Sequence, residues 1–142
     1  MADRNGLIVD AGPLYAIADA SDRHHRECLT LLGSHRGPLI VPTLVITEVA
    51  YLLGRRLGAR AEVLFAQDLA SGAFQVDAVH PGDWVRIAEL VAAYRDFPLG
   101  MADASVIACA ERRGIEQLVT LDRRHLSAVR PRHVQAFTLL PG

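Results

Sequence analysis

Lysine is missing from this chain: all fifteen basic residues are arginine. Mechanisms that rest on a catalytic or phosphate-gripping lysine are therefore excluded, the P-loop among them. Long apolar runs are missing too. None reaches the ~18–20 uninterrupted residues that a bilayer-spanning helix needs, so no membrane partner is expected. The first residues, Met1-Ala2-Asp3-Arg4-Asn5-Gly6, lack the basic segment and apolar core of a secretory signal. Cysteine is scarce. Cys28 and Cys109 fall in helical patterns without motif spacing, as buried free thiols of a reducing compartment do. A cytoplasmic location is the expectation. Repeats, low-complexity tracts and linkers are absent as well.

What is present is a globular composition. Of 142 residues, 51% are hydrophobic and 22% charged, which fits one domain, 1–142, with a proper core. The net charge of −1 hides an uneven distribution: between Arg112 and Arg132 stand six arginines and two acids, Glu116 and Asp122. Clustered arginine suits phosphate contact, although a solvated surface explains it better when taken alone.

Apolar runs and breakers divide the chain into alternating strands and helices. Leu7 to Asp10 reads as a buried first strand ending in a carboxylate, and Gly12-Pro13 starts a helix that ends near Asp19. Ser21-Asp22 is placed to cap a second helix from Arg23 to about Ser34. Leu39-Ile40-Val41 is a short strand, followed by helices over 44–57 and 59–70 that Gly58 and Ser71-Gly72 stop. A strand over 73–76 precedes an amphipathic helix from Pro81 to Arg95, with Trp84, Ile87, Leu90 and Val91 on its apolar face. Pro98 separates it from a helix over 100–113 that ends at Gly114, a usual left-handed cap. Leu118 to Leu121 forms a strand ending at Asp122. A short helix spans 123–128, and a last strand covers about 134–139. This alternation predicts a compact three-layer α/β/α sandwich around a short, mostly parallel sheet.

Most acids fall in helix-surface or loop contexts, Asp77 and Glu111 among them. Four do not. Asp10 and Asp122 each end an apolar strand, so a parallel sheet delivers both to one edge, where ligands collect in open α/β folds. Taken singly, each is better explained as a helix cap. Glu48 shares a helical stripe with Leu44 and Leu52, and Asp103 lies between Leu99 and the pair Val106-Ile107. Their ordinary explanations are a half-exposed carboxylate paired with Arg55 or Arg56, and an N-cap for a helix starting at Ala104. Acids on apolar stripes are nonetheless unusual, because an unpaired charge is costly to bury. If all four meet at ~6 Å with an effective dielectric of ~20, each like-charge pair costs roughly 3 kcal/mol. Either some protonate or a cation sits among them. An all-oxygen site favours Mg²⁺ or Mn²⁺, one ion or two, which would activate water and stabilise a leaving oxygen.

Other motifs carry less. His24-His25 with Cys28 is too small a set for a metal site. His125, beside Asp122, suits RNA contact, proton transfer or a turn. Trp84, Tyr15 and Tyr51 could stack on bases, with core packing the default. The mean hydropathy of +0.20 hints at a buried oligomer face on the helices.

On these residues the chain resembles a PIN-domain ribonuclease of the VapC type, the toxin of a bacterial toxin–antitoxin pair. The resemblance covers nearly the whole chain. It rests on Val9-Asp10, Thr47-Glu48-Val49, Ala102-Asp103-Ala104 and Thr120-Leu121-Asp122. It implies that Asp10, Glu48, Asp103 and Asp122 hold Mg²⁺, with Mn²⁺ as a substitute, and activate water to cut single-stranded RNA. It also implies a homodimer inhibited by a small VapB-type antitoxin. Thr120 would support the acids from behind. Asp96 would either do the same or be a surface acid at a helix end, the more ordinary place. Arg112, Arg113, Arg123, Arg124, Arg130 and Arg132, with His125, would surround the acidic pocket and hold RNA phosphates. The segment from Thr120 to Pro131 resembles actinobacterial members, some of which cut the sarcin–ricin loop of 23S ribosomal RNA, so tRNA or rRNA is the expected target. Two positions depart from the family pattern. Ala11-Gly12 stand where Thr-Ser or Thr-Asn is frequent, and Leu126 where Phe is frequent.

Rival chemistries also begin with an acid after the first strand. Haloacid-dehalogenase phosphatases need a second Asp two residues on, where Gly12 stands. They and phosphoacceptor receiver domains both need a lysine. The remaining alternative is a catalytically inactive PIN-like binding module whose acids serve as caps.

Overall fold

The computed structural model describes residues 5–142; most of the N-terminal stretch read above for a signal lies outside the described residues. Chain order is β1 (Leu7–Val9), α1 (Ala11–Ala18), α2 (His25–Ser34), β2 (Leu39–Pro42), α3 (Thr43–Arg56), α4 (Ala59–Ser71), β3 (Gln75–Asp77), α5 (Pro81–Ala93), α6 (Met101–Arg113), β4 (Gln117–Val119), α7 (Arg123–Ala128) and β5 (Thr138–Leu140). The strands form one all-parallel sheet in the order β3-β2-β1-β4-β5. Leu7, Ile8 and Val9 are each 1% exposed or less. Successive strand residues face opposite sides, so both faces of β1 are covered, as an all-parallel sheet requires. The expected helix-flanked α/β architecture is therefore the observed one.

β1 is the middle strand. The chain builds outward from it through β2 to β3, then returns to lay β4 against its other side. Strand order reverses between β1 and β4, and at such a reversal a crevice opens outside the carboxyl ends of the strands.

Expectation and structure differ mainly at element ends. α2 starts at His25, not Arg23, because the Asp22 carboxylate accepts the His24 amide at 2.8 Å in a turn ahead of the helix. β3 and β5 are edge strands paired on one side only. They occupy Gln75–Asp77 and Thr138–Leu140 instead of 73–76 and 134–139, in register with Pro42 and Val119. β4 ends at Val119, two residues short of the expected Leu121. Gly114 caps α6 with φ 69°, as its sequence position suggests.

Tyr15 is buried, but Trp84 and Tyr51 are 45% and 63% exposed, against the core-packing default. Cys28 and Cys109 are buried free thiols. Burial pushes the Cys28 thiol up to about 11 and raises Cys109 as well, which keeps both protonated and unreactive. His25 points Nδ1 at the Ala16 carbonyl, 2.8 Å away, a structural role. Among the described residues no helix is long and apolar enough to cross a membrane.

Asp77 is not the loop acid it resembled. It is 4% exposed and paired with Arg112 and Arg113 at the C-terminal end of α6. Arg112 Nε also donates to both oxygens of Asp83, at 3.1 and 3.2 Å. Glu111 likewise receives a two-pronged bond from Arg86, at 2.7 and 2.9 Å. These pairs tie β3 and α5 to the last turns of α6.

Candidate active site

β1 and β4 each run toward an acid. The Asp10 amide donates to the Val119 carbonyl at 2.9 Å, so the backbone stays in register while the side chain leaves the edge of the sheet. Asp10 Oδ1 accepts the Ala11 amide and Oδ2 the Thr120 hydroxyl, both at 2.9 Å. Thr120 Oγ1 in turn accepts the Asp122 amide at 3.0 Å. Asp122 caps α7 through the His125 amide at 3.2 Å, and its two oxygens lie 3.0 and 2.9 Å from His125 Nδ1. Asp10 and Asp122 are thus caps, as their positions suggest, and they also meet at one edge.

Glu48 arrives on α3, which springs directly from β2. It takes neither arginine partner: Arg55 turns toward the Tyr51 hydroxyl, 3.4 Å away, and Arg56 lies over the Tyr15 ring at 5.1 Å. Asp103 sits in the first turn of α6. The cap there is Gly100, so Asp103 is not the N-cap. All four acids line one open pocket of about 490 Å³. Gly12 is at its wall, where a Cβ would fall 3.3 Å from that of Leu121. The larger residue frequent in the family would press on Leu121 here.

The pocket concentrates negative charge. Burial pushes the Asp10 carboxyl up and Asp122 adds to it, against the bonds from Ala11 and Thr120. Asp103 is raised to about 7, first by burial and then by the charges of Asp10, Asp122 and Glu48. Glu48 is raised by loss of water around its carboxyl end, then by Asp10 and Asp122. No arginine is among the lining residues. Among the described residues, no three His, Cys, Asp or Glu side chains form a ready-made ligand set, so the acids share a pocket without closing a shell. All-oxygen donors that repel one another around an open mouth fit a hard dication that keeps water and substrate ligands.

The expected arginine ring divides. Arg112 and Arg113 do not reach the pocket: they pair with Asp77 at the far end of α6, ~13 Å along the helix from Asp103 at 1.5 Å per residue. Their acids lie some thirty residues earlier in sequence, too far apart to be read as partners; the one local signal is Asp83 bonding the His80 amide at 2.9 Å, as in a capping box. Arg132 pairs with Glu89 at 2.8 Å. Arg130 donates its amide to the Tyr94 hydroxyl at 3.1 Å and does not line the pocket. Arg123 Nη1 donates to the Pro141 carbonyl at 2.8 Å. Arg124 lies over the Phe97 ring at 5.4 Å, and that ring also meets His125, centroids 4.9 Å apart. Of these residues, His125 touches the acids, through Asp122. Asp96 is exposed and outside the pocket.

A family model for the PIN domain matches residues 7–130. The chain belongs to the PIN-domain family. Ribonuclease VapC26 of Mycobacterium tuberculosis is 33% identical to this PIN-domain protein over 135 residues, which cover 95% of this chain and 100% of that one. The crystal structure of Mycobacterium tuberculosis VapC20, described as a sarcin–ricin loop cleaving toxin, has a TM-score of 0.78 at 24% identity, covering 91% of this chain and 98% of that one. DNA-bound VapBC from Salmonella typhimurium has a TM-score of 0.69 at 16% identity, covering 98% of each chain. The family match spans β1 to β4 and all four pocket acids. Leu126, in the position where the family often has Phe, is fully buried and fills the core beneath α7.

Proposed function

We propose that this PIN-domain protein is a metal-dependent endoribonuclease, the toxin of a toxin–antitoxin pair. One observation carries the reading: four carboxylates, from just beyond β1 and β4, the second turn of α3 and the first turn of α6, line one pocket with no arginine among its lining residues. Asp10, Glu48, Asp103 and Asp122 would hold Mg²⁺ or, in its place, Mn²⁺, as one ion or two. When bound, the metal activates water and offsets charge on the phosphodiester. The chain's own part is to hold the acids ready. Thr120 fixes Asp10 relative to Asp122, and His125 Nδ1 steadies the Asp122 carboxylate. Asp103, its carboxyl raised to about 7, would be held in the ionised form by a bound cation.

The 33% identity to a named ribonuclease supports the activity. The toxin–antitoxin complexes among the structural matches support a VapB-type antitoxin as partner. The sarcin–ricin loop named for VapC20 makes that rRNA element the first substrate to try. Apolar side chains exposed on α5 and at the start of α6, Trp84, Val85 and Met101, suit a cytoplasmic homodimer.

Incubation of the purified chain with total RNA tests the reading. Cleavage should require Mg²⁺, stop with EDTA, and vanish in Asp10→Asn and Asp103→Asn, which should also weaken Mn²⁺ binding by calorimetry. Cleavage that persists in EDTA removes the metal from the mechanism. Unchanged Mn²⁺ binding in both variants breaks the shared site. No cleavage of any RNA leaves the inactive binding module as the better reading.

A further inference from the structure

The acids alone repel the substrate proposed for them, so an RNA strand needs a grip at the rim. α3 and α7 leave the sheet from β2 and β4, on opposite sides of β1. Their first turns therefore flank Asp10, with two strand spacings, ~10 Å, between them. Each side carries an aromatic ring with an arginine against it. On α3, Tyr51 lies one turn beyond Glu48 on the same face and is 63% exposed. Arg55, a turn further, donates toward its hydroxyl at 3.4 Å. On the other side stands Phe97, three residues before the pocket-lining Gly100. It carries the Arg124 guanidinium 5.4 Å from its centroid. Both arginines are exposed. Neither has a carboxylate partner among the described residues, whereas Arg86, Arg112 and Arg132 do.

We propose that single-stranded RNA crosses the pocket between these two aromatic–arginine pairs. A base stacks on Tyr51, and phosphates on either side of the cut pair with Arg55 and Arg124. Phe97 is a positioning residue: it fixes the Arg124 guanidinium through its ring face. The inference rests on the ribonuclease reading and adds the path of the strand. Stacking accepts any base, so the pairs supply grip and leave sequence choice to the shape of the RNA.

The probe is a fluorescein-labelled, mixed-sequence 2′-O-methyl RNA with Ca²⁺, followed by anisotropy over a salt series. Tyr51→Ala should weaken binding about tenfold, and Tyr51→Phe should keep it. Arg55→Ala and Arg124→Ala should each flatten the salt slope by roughly 0.7, the share of one phosphate contact on a single strand. Phe97→Leu should reproduce part of the Arg124→Ala effect, while Arg132→Ala changes nothing. Mn²⁺ affinity should stay as in the wild type throughout. If the wild type binds but Tyr51→Ala and Arg124→Ala match its affinity and slope, the path is wrong and the ribonuclease reading stands. If the wild type neither binds nor cleaves RNA, both fail. A Tyr51→Ala variant that loses self-association in sedimentation while keeping its RNA affinity assigns the ring to a second copy of the chain, and overturns the path as well.

Discussion

The Thr120 hydroxyl donates to Asp10 Oδ2 at 2.9 Å across 110 residues of sequence, and accepts the Asp122 amide at 3.0 Å. One side chain therefore sets the spacing of the acids that follow β1 and β4. At 1% exposure, it has no water to replace it.

Thr120→Val keeps the shape of the side chain and removes both bonds. Mn²⁺ affinity should fall about tenfold or more, the range seen when an outer partner of a metal ligand is lost. Stability should fall by about 1–3 kcal/mol. Thr120→Ser should restore both. A Val variant with wild-type Mn²⁺ affinity in calorimetry would remove Thr120 from the site.

Asp103 makes stability depend on pH in the metal-free chain. Its carboxyl is raised to about 7, first by burial and then by the neighbouring acids. From about pH 4 to about pH 7 the folded chain holds a proton that the unfolded chain has released, so stability declines as pH rises through that window. Asp103→Asn lacks this decline. Without metal at pH 8 it should be more stable than the wild type, by on the order of 2 kcal/mol after discounting for water at the pocket mouth. The gap should close at pH 4, and saturating Mg²⁺ should reverse it. Thermal melts across pH, with and without Mg²⁺, decide.

Asp77 works in the opposite sense. Burial raises its carboxyl, but the Arg112 and Arg113 bonds more than offset this and leave it lowered. Its contribution is present in full above about pH 4 and is lost as pH falls further. Asp77→Asn should cost about 2–3 kcal/mol at neutral pH, since it leaves two guanidinium groups short of a partner. It should also flatten the acid limb of the stability curve. Urea melts at pH 3 and pH 7 would show whether that limb survives the substitution.

Arg123 and Arg124 are adjacent in sequence and should separate in function. Arg123 holds the Pro141 carbonyl, so Arg123→Ala should speed amide exchange at Thr138–Leu140. RNA affinity should change little. Equal exchange rates in the two proteins would return Arg123 to ordinary surface.

The sheet and the four acids were legible because each rests on a local pattern: an apolar run that stops at a carboxylate, or an acid on an apolar stripe. The arginine cluster misled because its partners are remote. Nothing near Arg112 announces Asp77, 35 residues back, or Asp83, 29 residues back. Tyr51 and Trp84 misled differently. Their rings have the size and period of core residues, and only the packing of the other helices decides that those faces stay open. The edge strands Gln75–Asp77 and Thr138–Leu140 begin later than their β propensity suggests, because that propensity extends past the few residues that find a pairing partner.

The ion pairs at the far end of α6 also bear on the pocket. A helix turns by about 100° for each residue of slip. The Arg112 and Arg113 bonds to Asp77 at one end oppose rotation of α6 about its own axis, and Asp103 at the other end lines the same pocket as Asp10. The clamp acts as a keyway: the direction in which the first turn of α6 presents its carboxylate is set by a lock nearly three turns away, outside the pocket.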